Sequence, residues 1–86
     1  VTIQQVQAQR ERIRRAAGLL AIEHHAAGST PGGMTIKGHA QSIYDDGIEQ
    51  AEQAAANGAM LWTHAAELIA NTYERLVNDM QKAGQP

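Results

Sequence analysis

The chain has no cysteine and no phenylalanine, and only three aromatic residues, Tyr44, Trp62 and Tyr73. The missing thiols exclude disulfides, thiolate metal centres and a cysteine nucleophile. No apolar run approaches the ~20 residues needed to span a bilayer. No basic-then-apolar leader opens the sequence, so a cleaved Sec-type signal is not expected, and the chain is either secreted without one or cytoplasmic. Neither charge sign dominates: the net of -2 does not single out nucleic acid as a partner. What the sequence does have is alanine. Sixteen of its 86 residues are Ala, against 18 of Val, Ile, Leu and Met together. A single domain over 1–86 with so little bulky apolar material buries only about 60% of its unfolded surface. Closely packed helices, completed by another chain, are the expected solution.

Helical periodicity organises the chain. Ile3, Val6, Arg10, Ile13, Ala17, Leu20, His24 and Ala27 recur at alternating spacings of three and four, which predicts a helix over about 2–27. Thr2 is its expected N-cap, without a capping box because Gln5 falls one residue early. Gly28-Ser29-Thr30-Pro31-Gly32-Gly33 concentrates helix breakers, and Gly28 suits a left-handed cap. The loop is expected over 28–38, with 34–40 open to either reading. From Gln41 onward Tyr44, Ile48, Ala51, Ala55, Gly58, Trp62, Ala66, Ile69, Tyr73, Leu76, Met80 and Ala83 keep the helical phase. Asn57-Gly58 is a turn signal, yet the phase runs through it. The expected fold is therefore all-α: an antiparallel hairpin whose second helix runs over about 40–83. The alternative is a three-helix bundle broken at Asn57-Gly58.

The hairpin has a geometric consequence. Its helices would be ~39 and ~66 Å long, pairing Ile13 with Gln53 and Leu20 with the region of Asp46. The far end of the second helix would then lie uncovered. Its stripe of Leu68, Ile69, Tyr73, Leu76, Val77 and Met80, with Trp62 as an aromatic anchor, is the expected partner interface. In the three-helix alternative the same residues turn inward.

Charge is unevenly placed. Residues 1–27 carry four arginines against two glutamates, and residues 28–57 carry Lys37 against Asp45, Asp46, Glu49 and Glu52, a +2 segment facing a -3 segment. Antiparallel packing with the acidic face countering Arg10, Arg14 and Arg15 follows. Arg10, Arg12, Arg14 and Arg15 are also the candidate contacts for an anion or nucleic acid, although no aromatic interleaves the run for base stacking. The carboxylates sit on a wet helix face, unsuited to general acid–base work. The glycine loop lacks the lysine and the preceding strand of a phosphate-binding loop. His24 and His25 point about 100° apart on a helix, and His64-Ala65-Ala66-Glu67 offers one such pair where a di-iron bundle needs more. No metal, cofactor, small-molecule substrate or catalytic residue is expected.

A short Ala-rich helix, a Gly/Pro loop and a longer Ala-rich helix ending in Tyr73-Glu74-Arg75-Leu76-Val77-Asn78-Asp79 resemble the small helical-hairpin substrates of actinobacterial type VII (ESX) secretion, the W-x-G (ESAT-like) and EspC-like proteins. Two features depart from that pattern. The family's W-x-G lies in the turn, whereas Trp62-Thr63-His64 has no glycine and is expected deep in the long helix, and the fourth residue after Tyr73 is Val77, where the export motif has Asp or Glu. The resemblance implies a non-enzymatic protein that pairs with a second helical hairpin, as a homo- or heterodimer, and is exported without a cleaved leader. The alternative function is a small helical regulatory or nucleic-acid-associated domain using Arg10–Arg15.

Overall fold

A computed structural model describes residues 2–84 as three helices: α1 (Ile3–Ala26), α2 (Ile36–Ala56) and α3 (Trp62–Ala83). The all-α class is as expected, and the arrangement is the three-helix alternative. The single helix over 40–83 does not form. Gly58 takes φ +74°, and its N–H and that of Ala59 return to the carbonyls of Ala55 and Ala54 at 3.1 Å each. These bonds satisfy carbonyls that a helix end would otherwise leave bare, and only glycine enters the left-handed region without a Cβ penalty. The end of α1 is built the same way. Gly28 (φ +74°) and Ser29 bond the carbonyls of His25 and His24 at 3.1 and 2.8 Å. Apolar phase carries no information across such a cap, because the next helix chooses its own buried face.

The helix starts also depart from the sequence reading. Thr2 does close a capping box: Gln5 is its third helical residue, so Gln5 N–H donates to Thr2 Oγ1 at 3.1 Å and Thr2 N–H to Gln5 Oε1 at 3.0 Å. Thr35 caps α2 through Gly38 N–H at 3.0 Å, so that helix starts at Ile36 and the loop is shorter than 28–38.

The helices run up, down, up. His24 meets His39 and Ile13 meets Gly47 across the antiparallel α1–α2 pair, while Arg12 meets Asn71 and Glu74 across the parallel α1–α3 pair. Ile13 therefore faces Gly47 rather than Gln53, a register shift that follows from the earlier start of α2. The tail of the chain folds back on α1, so the uncovered rod that called for an obligatory partner is absent. α1 contacts both other helices more extensively than they contact each other.

The core is built from small residues. Among the described residues the buried apolar positions are Ile13, Leu20, Tyr44 and Val77 plus seven alanines, and Ile13 is the largest side chain fully out of solvent. Ala17 on α1 and Ala65, Ala66 and Ala70 on α3 belong to one core cluster, and Ala16 and Ala21 on α1 are buried as well. The α2 counterpart is Gly47. A Cβ there would lie 3.1 Å from Tyr73 Oη and 3.2 Å from Ile13 Cγ2, so the three helices converge at a position that only glycine fills without displacing a neighbour. Among the described residues, no helix is long and apolar enough to cross a membrane.

Candidate interaction groove

Because α2 and α3 are each seated on α1, the seam between them stays partly open. Its floor is Leu20 and His24 of α1, with Ile43, Asp46 and Gln50 on the α2 side and Tyr73, Leu76 and Met80 on the α3 side, around a cavity of about 250 Å³. Gln50 and Tyr73 also border its extension along the seam, where Leu68, Ile69 and Thr72 line a further 140 Å³ or so. Tyr73 is the fixed point of the groove. Its hydroxyl donates to the Ile43 carbonyl at 3.3 Å, and burial, with a smaller contribution from the nearby Asp46 carboxylate, holds its pKa above the ordinary tyrosine value.

The stripe read from the sequence divides here. Leu68, Ile69, Tyr73, Leu76 and Met80 are brought together along the groove, with Leu68 and Leu76 44% and 45% exposed. Trp62 and Val77 are not part of it. Val77 is buried within the chain, and Trp62, at the first turn of α3, packs on the chain's own core under the Arg10 guanidinium, 5.5 Å from the ring centroid. Ile43 and Leu20 are groove residues that the stripe could not reveal, because they come from other helices.

The arginine run is used mostly inside the chain. Arg10 covers Trp62, Arg14 lies 4.3 Å from the Tyr44 ring centroid, and Arg12 donates to Asn71 Oδ1 and Glu74 Oε1, both at 2.8 Å. Arg15 reaches only Glu11, at 4.0 Å. Among the described residues no ion pair joins the run to the acidic face of α2. The expected pairing with Asp45, Asp46, Glu49 and Glu52 is replaced by aromatic faces and by Glu74 of α3. Those carboxylates are exposed, with Asp45 and Glu49 held by Gln41 and Gln53 one turn away.

One contact has no precedent in the sequence reading. His39, in the segment open to either reading, becomes part of α2 and places its Nε2 2.9 Å from Nδ1 of His24. His25 and His64 are exposed. No family model, curated protein or solved structure matches the chain.

Proposed function

We propose that this chain is a non-enzymatic interaction module that takes a helix of another protein chain, a copy of itself or a different one, along the groove between α2 and α3. The observation that carries the reading is an inverted distribution of bulky side chains. Among the described residues, four apolar side chains larger than alanine are buried, whereas eight stand exposed: Ile3, Leu19, Ile22, Met34, Ile36, Leu61, Leu68 and Leu76. Single exposed aliphatics are ordinary, but an aliphatic-lined groove is the setting that an amphipathic helix fills. Shape supports it too. The chain exposes 5646 Å², where folded monomers of this mass expose about 4,900 Å². Its radius of gyration is 13.7 Å, where a compact domain of this length has about 12 Å.

The resemblance to type VII secretion substrates agrees with this reading, since it also implies a helical protein that pairs with a second helical chain. It adds export without a cleaved leader. Release that continues from a host whose type VII apparatus is disabled would remove that addition while leaving the binding module intact.

Replacing both Leu68 and Leu76 by serine tests the module. Sedimentation equilibrium up to several hundred micromolar is expected to show association in the parent chain and none in the variant, which should stay folded with a loss of about 1–2 kcal/mol, because each leucine is about half covered and serine is the poorer helix former. A parent that stays monomeric throughout would remove a copy of itself as the occupant, and a variant that associates as the parent does would remove the groove as the contact.

A further inference from the structure

His24 lies in the last turn of α1 and His39 in the first turns of α2, both half-buried, with the glycine-rich loop between them. His24 Nδ1 and His39 Nε2 are 2.9 Å apart, and the ring centroids 5.1 Å. The centroid distance is nearly the nitrogen separation plus two ring radii, so the nitrogens point at each other in a hydrogen bond close to linear. Such a bond needs one N–H and one lone pair, one from each imidazole. We propose that the pair is a proton-operated latch between the end of α1 and the start of α2. It stays closed while the two rings share at most one extra proton, and it parts when they carry two.

Proton counting sets the direction. Between two neutral rings the donor keeps a lone pair on its outward nitrogen. A first proton settles there, leaves the shared bond intact and makes it charge-assisted. The acceptor's outward nitrogen already bears its hydrogen, so a second proton must take the lone pair that holds the bond. Two N–H groups on two cations then face each other, and the rings separate. The closed pair thus binds one proton fewer than two free histidines. Its contribution to stability is present above the free-imidazole value of about 6.5 and is lost as pH falls below it. Each pH unit favours parting about tenfold, and a single hydrogen bond resists a shift of only about that size. The groups around the latch do not replace the bond. Asp46 of α2 and Tyr73 of α3 line the cavity that His24 borders, Lys37 stands two residues before His39, and Glu23 and His25 flank His24 on α1. Among the described residues none of these hydrogen-bonds to either ring. Gly28 and Gly33, both at positive φ, lie in the loop that absorbs the displacement. The latch does not depend on whether a helix occupies the groove.

The test compares the whole untagged chain at about pH 7.5 and about pH 4.5, below the range in which imidazole titrates. By NMR the parent is expected to show Overhauser contacts between the His24 and His39 rings at the higher pH and none at the lower. Amide protection over residues 39–43, corrected for the intrinsic pH dependence of exchange, should fall about tenfold relative to residues 48–55. On the same acidification Tm should fall about 5 °C further in the parent than in His39→Gln. A His25→Gln, His64→Gln double variant should fall as the parent does. The NMR and exchange readouts use the parent alone, so a His39→Gln chain that fails to fold leaves the test intact. Ring contacts absent at the higher pH or persisting at the lower, unchanged relative protection, or equal acid sensitivity in the parent and His39→Gln overturns the proposal.

Discussion

Gly47→Ala sets two local effects against each other at the point where α1, α2 and α3 meet. Within a helix, alanine is favoured over glycine by about 1 kcal/mol. The new methyl, however, would lie 3.1 Å from Tyr73 Oη, 3.2 Å from Tyr73 Cε2 and 3.2 Å from Ile13 Cγ2. Ordinary contacts of this kind are about 3.5–4.0 Å, so the neighbours must retreat by ~0.4–0.8 Å. Ile13 is fully buried, whereas Tyr73 borders the open groove, which makes Tyr73 the neighbour that moves. That motion costs about 1–3 kcal/mol of packing and strains the Tyr73–Ile43 hydrogen bond, worth about 1 kcal/mol. The net expectation is a loss of about 1–2 kcal/mol, a fall in Tm on the order of 10 °C. Thermal melts and urea titrations of Gly47→Ala, Tyr73→Phe and the double variant measure it. Removing the tyrosine oxygen takes away the shortest contact, so Gly47→Ala should cost at least ~0.5 kcal/mol less in the Tyr73→Phe background. A Gly47→Ala protein more stable than the parent, or a cost indifferent to Tyr73→Phe, would refute the convergence of the helices at this point.

Substitutions elsewhere in the bundle carry their own expected outcomes. Gly58→Ala places a Cβ in open space but at φ +74°, so strain alone should destabilise the fold by about 1–2 kcal/mol in urea titrations; Gly18→Ala, also in open space but mid-helix in α1, should stabilise it by up to ~1 kcal/mol. The Tyr73 pKa is raised in the folded state, by burial first and then by Asp46. Its contribution to stability is therefore fully present below the unfolded tyrosine value near 10 and is lost as pH rises through the folded value. Alkaline melts should show this loss in the parent and a smaller one in Tyr73→Phe, and the phenolate absorbance of Tyr73 should appear earlier in Asp46→Asn. Ile13→Ala should cost about 2–5 kcal/mol by urea titration, whereas Leu61→Ala, at a side chain 68% exposed, should stay within ~0.5 kcal/mol.

The sequence carried the helical class, the loop at Gly28–Gly33 and the cap at Gly28, because these depend on local spacing and on glycine's access to positive φ. Asn57-Gly58 carried the second break just as plainly. What hides it is that Gly58, Trp62 and Ala66 keep step with the preceding stripe, a coincidence between two helices whose buried faces are chosen separately. The groove was legible only on its α3 side, since Leu68, Ile69, Tyr73, Leu76 and Met80 share one face. Its floor and far wall, Leu20, His24, Ile43 and Asp46, depend on a register fixed by where Thr35 caps α2. The contact between His24 and His39 was hidden for the same reason. The arginines are legible as charges but not in their partners: charge counting points to carboxylates, whereas Arg10 and Arg14 lie on aromatic faces.

The central position of α1 also decides how the molecule can deform. Parting α2 from α3 leaves the contacts of each with α1 in place, so widening that seam is the gentlest large motion open to the bundle, gentler than detaching either helix from its support. A guest helix could thus wedge in as a fourth member while α1 keeps its amide protons, making the first helix the slowest to exchange with solvent both before and after the visitor arrives.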